Sequence, residues 1–124
     1  MTLNGAANLL FTFLDSNLNQ ISGTYYYSSI KNVPATTTAG VAGSDTLGVK
    51  IYVNAASTPI RGVCEFVRDT EDTNWIFSSQ GVYAASGLTQ SAGSVSLSGA
   101  AYIRISSSNG TSLMTGSIVV DYEE

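Results

Sequence analysis

Apolar and polar side chains alternate most regularly between Ser94 and Ser106. The even positions are mostly hydroxyl-bearing and end in Tyr102 and Arg104. Because a strand sends successive side chains to opposite faces, this period of two predicts one long strand with a buried face and a solvated face. The odd positions that would form the buried face are Val95, Leu97, Gly99, Ala101, Ile103 and Ile105.

A tight turn is predicted directly after this strand, at Asn109-Gly110. This dipeptide supplies the two positive φ angles of a type I′ turn, so we expect a C-terminal β-hairpin around it. With a two-residue loop, Ile105 would face Met114 on the apolar side, and Arg104 would face Thr115 on the polar side. A slip of one residue would exchange the two faces, so the register is a strict expectation.

Shorter runs elsewhere also have the pattern of strands. Asn8 to Leu14 is apolar at nearly every position, which predicts a strand covered on both faces, and Ile21 to Ser29 alternates. These two runs are predicted to form an N-terminal hairpin. Further strands are expected at Val49 to Asn54, at Ile60 to Arg68, and from Trp75 to Tyr83 with a kink or bulge at Gly81.

Three segments are predicted to be connections between strands. Residues 31–48 show no sustained period and several breakers, which predicts a long irregular loop with a short edge strand, at most, at Thr36 to Thr38. Ala85 to Gly93 is small and polar and is expected to be a second loop. Asp69 to Asn74 is acidic and lies where a hairpin should turn.

These elements define the expected fold class. No segment shows helical spacing with caps, and the strands are short and separated by turn residues. We therefore predict an all-β protein, a single domain over residues 1–124 that forms an antiparallel β-sandwich of seven to eight short strands. A jelly-roll and an immunoglobulin-like strand order remain open, because alternation does not encode long-range pairing.

The chain carries unusually few charges. Charged residues make up 11% of the sequence, against roughly 25% in an ordinary soluble domain. Polarity comes instead from 18 Ser and 13 Thr, so copies can approach closely without large desolvation penalties. The net charge of −4 and the absence of a basic run argue against nucleic-acid binding, which needs clustered Lys and Arg.

The sequence carries no catalytic signature. It has no histidine and only one cysteine, so most catalytic triads and most zinc sites are excluded. The single cysteine, Cys64, lies in an apolar strand pattern and is predicted to be a small buried thiol. Glu65 is the one carboxylate well inside a predicted strand, and an ion pair with Arg61 or Arg104 is expected to hold it. The oxygen-rich loop from Asp69 to Asn74 lacks the spacing of a calcium loop. We predict no catalytic residue, no cofactor and no metal site.

Tyrosines offer a different kind of site. Tyr26 and Tyr102 fall on polar faces of their strands, where a flat exposed ring could stack on a sugar, with Trp75 as a possible third member. Aromatic residues also bury large areas at subunit contacts. A carbohydrate-binding or host-adhesion module is therefore the alternative to a structural protein.

Taken over its whole length, the chain resembles small β-sandwich virion proteins of tailed bacteriophages, of the decoration (cement) or head-tail accessory type. The residues behind this resemblance are the hydroxyl-rich alternation of Ser94 to Ile105, the closing run Gly116 to Tyr122, the missing histidine and the irregular Thr-Ala-Gly segment. The resemblance implies a non-enzymatic structural protein that forms a symmetric homo-oligomer, with a trimer expected. Its partner would be a major capsid or tail protein.

Contacts with those partners are expected at irregular or exposed positions. Membrane association is not expected, because no apolar run is long enough to cross a bilayer. The first residues do not have the pattern of a secretory signal, so we expect synthesis in the host cytoplasm and localisation in the virion. The predicted interaction residues are Pro34, Thr36, Thr37, Thr38, Tyr26 and Tyr102, together with the N-terminal segment up to Asn8.

Overall fold

The computed structural model of the chain describes residues 2–3, 5, 7–32, 38–55, 59–69, 73–83, 87–110 and 114–121. These residues form strands and turns, and none of them lies in a helix that could cross a membrane. The strands are β1 (Thr2–Leu3), β2 (Ala7–Leu14), β3 (Tyr25–Asn32), β4 (Thr38–Asp45), β5 (Val49–Ala55), β6 (Ile60–Arg68), β7 (Asn74–Tyr83), β8 (Gly87–Ser96), β9 (Tyr102–Ser107) and β10 (Met114–Thr115).

Eight of the described strands make two antiparallel sheets that pack face to face. The larger sheet has the order β4-β3-β8-β7-β6, and the smaller has the order β5-β2-β9. The short strands β1 and β10 pair with each other, and the hydroxyls of Thr2 and Thr115 are 2.7 Å apart. The prediction of an all-β, antiparallel sandwich is confirmed.

Aromatic side chains from both sheets fill one end of the interior. Phe11 and Phe13 of β2 point into the sandwich, where Phe66, Phe77 and Trp75 of the larger sheet meet them. The ring centres are 4.8 Å apart for Phe13 and Trp75, and 4.9 Å apart for Phe66 and Phe77. Tilted pairs at such distances contribute about 0.5–1.5 kcal/mol each beyond the area that they bury.

Polar contacts link the sheets where β5 crosses the larger sheet. The buried Ser29 hydroxyl lies 2.6 Å from the Ser91 hydroxyl and accepts the backbone N–H of Tyr52 at 2.7 Å. Tyr25 is fully buried, and its hydroxyl accepts the N–H of Phe13 at 2.9 Å. β5 pairs with β2 only as far as Phe11, so the tyrosine hydroxyl takes the place of a strand neighbour for the Phe13 N–H.

The predicted C-terminal hairpin is wrong in its pairing. β9 pairs with β2, which places Arg104 opposite Thr12 and Ile103 opposite Phe13, whereas β10 pairs with β1. Ile103 is 42% exposed, because β9 is an edge strand of the smaller sheet. A buried strand such as β2 is best stabilised with a neighbour at each edge, because its main-chain N–H and C=O groups cannot bond to water, and β9 provides one of these neighbours.

The run from Ser94 to Ser106, which is predicted to be one strand, belongs to two strands. β8 ends at Ser96 in the larger sheet and β9 begins at Tyr102 in the smaller one, and between them Gly99 has a φ of +78°. A turn does follow β9, and the Gly110 N–H donates to the Ser107 carbonyl at 3.1 Å. Gly110 has a φ of +70° but Asn109 does not have a positive φ, so the turn is not of type I′.

The predicted N-terminal hairpin does not form either. The two runs lie in different sheets, with β2 in the smaller and β3 in the larger. Only a single bridge between Leu14 and Gln20, supported by the Ile21 N–H to the Phe13 carbonyl at 3.3 Å, joins them locally. Coverage of β2 on both faces is confirmed, since seven of its eight residues are buried.

Two predicted loops are mainly strand. Within residues 31–48, β3 continues to Asn32 and β4 occupies Thr38 to Asp45, paired with β3 along its whole length. β8 begins at Gly87, inside the second predicted loop. The bulge predicted at Gly81 is absent, because Gly81 faces Gly62 in an unbroken register. Runs of small residues suit a strand here, because the partner strands supply regular hydrogen bonds and β5 packs closely above them.

Candidate interaction surface

The side of the larger sheet that faces away from the smaller sheet is exposed. We call it the outer face. The strand registers bring its side chains into rows across the sheet, and Val67, Ile76, Ser94 and Tyr26 form one of these rows. The exposed members are Arg61, Val63, Glu65 and Val67 of β6, Ile76, Ser78, Gln80 and Val82 of β7, Leu88, Gln90, Ala92, Ser94 and Ser96 of β8, Tyr26, Ser28 and Ile30 of β3, and Gly40, Ala42 and Ser44 of β4.

Apolar and hydroxyl-bearing groups dominate the outer face. Among those exposed members only Arg61 and Glu65 are charged. Val63 is 74% exposed and Ile76 is 58% exposed, and Val82 lies directly opposite Leu88 on the neighbouring strand. Such a surface loses little solvation energy when it is covered, because hydroxyls and amides can be paired again and few charges must leave water. The outer face is therefore suited to contact with another protein.

The predicted interaction residues fall into three groups. Pro34, Thr36 and Thr37 lie outside the described residues. Thr38 begins β4, where its backbone pairs with Asn32 at an edge of the larger sheet. Tyr26 and Tyr102 form the third group.

Tyr26 and Tyr102 are both exposed, at 59% and 53%, as predicted. Tyr26 is on the outer face of the larger sheet and Tyr102 is on β9 of the smaller sheet, so the two rings do not lie on the same sheet surface. Trp75, the expected third member, is on the core side of β7, with its ring 4.8 Å from that of Phe13. The structure therefore does not bring the three rings together.

A small recess lies beside Trp75. It has a volume of about 140 Å³ and is lined by Arg68, Trp75, Leu97 and residues around Gly99. The guanidinium carbon of Arg68 is 5.9 Å from the centre of the Trp75 ring. Pockets for small ligands usually enclose about 300–1,000 Å³, so the recess is small for a ligand site.

The carboxylates do not gather into a site in the described part of the chain. Glu65, expected to be held by Arg61 or Arg104, is exposed opposite Ser78 and forms no ion pair with either. In the acidic turn, the Asp69 N–H donates to the Asn74 carbonyl at 3.0 Å, and Thr70 to Asp72 lie outside the described residues. No group of three metal-ligating side chains occurs among the residues that the structure describes.

Cys64 is exposed, which corrects the expectation of a buried thiol. It lies on the core side of β6, opposite Ser79, but β6 is an edge strand that the smaller sheet covers incompletely. Desolvation by the surrounding atoms still raises the pKa of the Cys64 thiol to about 11. The group therefore remains a thiol at neutral pH and is a weak nucleophile.

An ion pair that sequence reasoning missed joins β4 to β5. The Lys50 ammonium is 2.7 Å from the Asp45 carboxylate and 5.5 Å from the centre of the Tyr27 ring. Burial by itself would raise the pKa of Asp45, but hydrogen bonds from Lys50 and from the Leu47 N–H lower it below its ordinary value. The hydrogen bond to Asp45 raises the pKa of Lys50. The sequence does not indicate this pair, because residues 38–45 lack the alternation that would place Asp45 on a strand beside β5.

Comparison of the chain with known protein families, with curated proteins and with solved structures finds no match.

Proposed function

We propose that the protein is a non-enzymatic structural protein of a bacteriophage virion, a decoration or cement protein that reinforces contacts between major capsid subunits as a symmetric homo-oligomer. The observation that supports this proposal most is the outer face, a broad exposed sheet surface whose described exposed members include only two charged side chains. The resemblance of the sequence to small β-sandwich virion proteins supplies the biological setting.

The mechanism is the burial of protein surface at many identical contacts, whose binding free energies add up. A stable contact between proteins covers at least about 1,000 Å². The outer face offers apolar side chains for the centre of such a contact, among them Ile76, Leu88 and Tyr26, and hydroxyls of Ser78 and Ser94 between them. Repetition of a modest contact by symmetry converts low affinity into high avidity.

Co-sedimentation with particles tests this proposal. Purified protein should pellet with capsids of the virus whose genome carries the gene, and the amount bound should saturate. Charged substitutions of two exposed apolar residues of the outer face, Ile76→Lys and Leu88→Lys, should reduce binding by about tenfold or more, because each buries an unpaired charge.

Leu47→Lys is the matched control. Leu47 is 50% exposed but lies in the turn before β5, away from the outer face, so this variant should bind like the wild type. Wild-type protein that remains in the supernatant at saturating capsid concentration contradicts the virion assignment. Equal binding of all four proteins contradicts the assignment of the outer face.

A carbohydrate-binding or host-adhesion module is the second candidate. The observation in its favour is the exposure of the Tyr26 and Tyr102 rings. Because the two rings belong to different sheets, each would act as its own stacking site. Glycan-array binding that Tyr26→Ala or Tyr102→Ala abolishes would favour this candidate, and an array without signal would count against it.

A further inference from the structure

Among the residues that the structure describes, strand β6 has a neighbour on one side only. All nine of its residues pair with β7, and it ends the larger sheet. A long exposed edge of this kind is a template for another strand, and proteins usually shorten, cover or distort such edges. β6 is straight in register and is not covered by any other described strand.

The hydrogen bonds between β6 and β7 show which main-chain N–H and C=O groups of β6 point to the open edge. The Asp69 N–H donates to the Asn74 carbonyl, which makes these two residues a hydrogen-bonded pair. Because such pairs alternate along an antiparallel ladder, the odd-numbered residues of β6 direct their N–H and C=O groups toward β7. Gly62, Cys64 and Phe66 direct theirs away from β7, to the open edge.

The charges of β6 are spaced so that the strand complements itself. Arg61 and Glu65 lie on the outer face, two residues to either side of Val63, the most exposed of the large apolar residues of the strand. If two copies of β6 run antiparallel with Val63 facing Val63, each Arg61 lies directly opposite a Glu65 of the other copy. These positions would be non-hydrogen-bonded pairs, in which the side chains are closest.

We propose that the partner of β6 is β6 of a second copy, paired antiparallel about a two-fold axis at Val63. The contact joins two five-stranded sheets into one sheet of ten strands. Gly62 pairs with Cys64 of the other copy on each side of the axis, so the main-chain groups that these residues direct to the open edge are satisfied, and two ion pairs flank a central contact of valines. A two-fold contact of this kind is isologous and closes on itself.

Competing registers are less favourable. Centring the axis on Glu65 places two carboxylates directly opposite each other, and like charges in that position are destabilising. Centring it on Cys64 places Glu65 opposite Val63 and Arg61 opposite Val67, so neither charge has a partner. Charges on an edge strand often prevent pairing, but here their spacing makes the Val63-centred register the complementary one.

This inference specifies the self-association in the proposed function and rests on that proposal for its biological setting. It predicts dimers in solution, whereas the resemblance of the sequence implied a trimer. The number of copies in the oligomer therefore distinguishes the inferred dimer from the trimer. The particle-binding experiment does not depend on that number.

Charge reversal with rescue is the test, with the full chain measured by sedimentation velocity and light scattering. Arg61→Glu and Glu65→Arg should each weaken dimerisation by about tenfold or more, because each places like charges opposite each other twice. The double variant Arg61→Glu/Glu65→Arg restores both pairs and should dimerise within about threefold of the wild type. Arg104→Glu, on the exposed edge of β9, is the matched control and should have no effect.

Hydrogen exchange provides an independent readout. In the wild-type dimer the amides of Gly62 and Cys64 should be protected, and in the single variants they should exchange quickly. The amides of Val63, Glu65 and Val67 bond to β7 and should stay protected in every variant, which also shows that the fold is intact.

Three results would overturn the pairing: a wild type that is monomeric at high micromolar concentration, a trimer in which the even-numbered amides of β6 exchange freely, or a double variant that is no better than the singles. Failure to co-sediment with capsids, with the dimer intact, would overturn the virion assignment alone.

Discussion

At the scale of single residues, the interior depends on a few polar atoms with defined partners. Tyr25 is the clearest case, since its ring is fully buried and its hydroxyl satisfies the N–H of Phe13. Burial raises the pKa of Tyr25, and the bond to Phe13 and the charge of Arg104 oppose that rise. The hydroxyl thus stays protonated at neutral pH.

Tyr25→Phe should lower the free energy of unfolding by about 1–3 kcal/mol, because it leaves a buried N–H without an acceptor. Chemical denaturation followed by Trp75 fluorescence measures the change. Tyr26→Phe is the control, since the neighbouring ring is exposed and should lose almost nothing. Equal losses in the two variants would show that the bond to Phe13 contributes no stability.

The ion pair between Asp45 and Lys50 should make stability depend on pH. The pKa of Asp45 is lower in the folded chain than its ordinary value of 3.8. The stabilisation is therefore complete above the unfolded pKa and is lost as the pH falls through the folded pKa.

Asp45→Asn keeps an oxygen for the Leu47 N–H but removes the charge. The difference in unfolding free energy between wild type and Asp45→Asn should thus be largest near pH 7 and shrink toward zero as the pH falls well below 3.8. Urea titrations at several pH values would measure it. A difference that stays constant with pH would contradict the coupling.

At the scale of elements, a glycine with a positive φ lies where the chain passes from one sheet to the other. Gly99, with a φ of +78°, lies between β8 of the larger sheet and β9 of the smaller. A Cβ at this position would meet nothing within 4 Å, so the cost of a substitution is conformational and not steric crowding by neighbours.

Gly99→Ala should therefore destabilise the fold by about 1–2 kcal/mol, whereas Gly99→Asn should cost less, because asparagine adopts left-handed conformations more readily. Thermal unfolding of the two variants side by side would show the order. Alanine and asparagine variants of equal stability would argue that the φ of Gly99 relaxes without cost.

Local strand patterns could be predicted from sequence, but several pairings could not. The strand Ile60 to Arg68 and its turn into β7 are as predicted, because a hairpin joins neighbours in the chain. The period of two in Ser94 to Ser106 indicated strands correctly, yet it carries no information on whether β9 meets β10 or β2. The small residues of β4 and of early β8 lack an apolar period, so their strand character depends on their partners.

The candidate surface was predictable only in part. Exposure of Tyr26 and Tyr102 followed from alternation on their strands. The outer face as a whole did not, because it requires the order of five strands. The exposure of Cys64 was missed for a related reason: sequence does not reveal that β6 is an edge strand.

At the scale of the whole molecule, stability depends on the aromatic cluster that joins the sheets. Phe77 is 2% exposed, and its ring contacts those of Phe11 and Phe66 at 5.7 and 4.9 Å between centres. The cluster includes residues from β2, β6 and β7, so its loss would affect both sheets together.

Phe77→Ala should cost about 3–5 kcal/mol, a large share of the roughly 5–15 kcal/mol that a domain has available. Ile76→Ala is the control in the same strand, and its exposed side chain should change stability by at most about 0.5 kcal/mol. Calorimetric melting temperatures give both values. A melting temperature for Phe77→Ala close to that of Ile76→Ala would mean that the cluster repacks without loss.

The pairing of β2 with β9 also determines the order in which the molecule can be completed. β2 leaves the ribosome before its two neighbours in the smaller sheet, so its pairing with β9 cannot form until Tyr102 to Ser107 have left the exit tunnel. The meander of β6, β7 and β8 can form during that interval from neighbours alone. Until β9 is made, β2 lacks one of its two strand neighbours, and an apolar segment left exposed in this way is where a chaperone would bind.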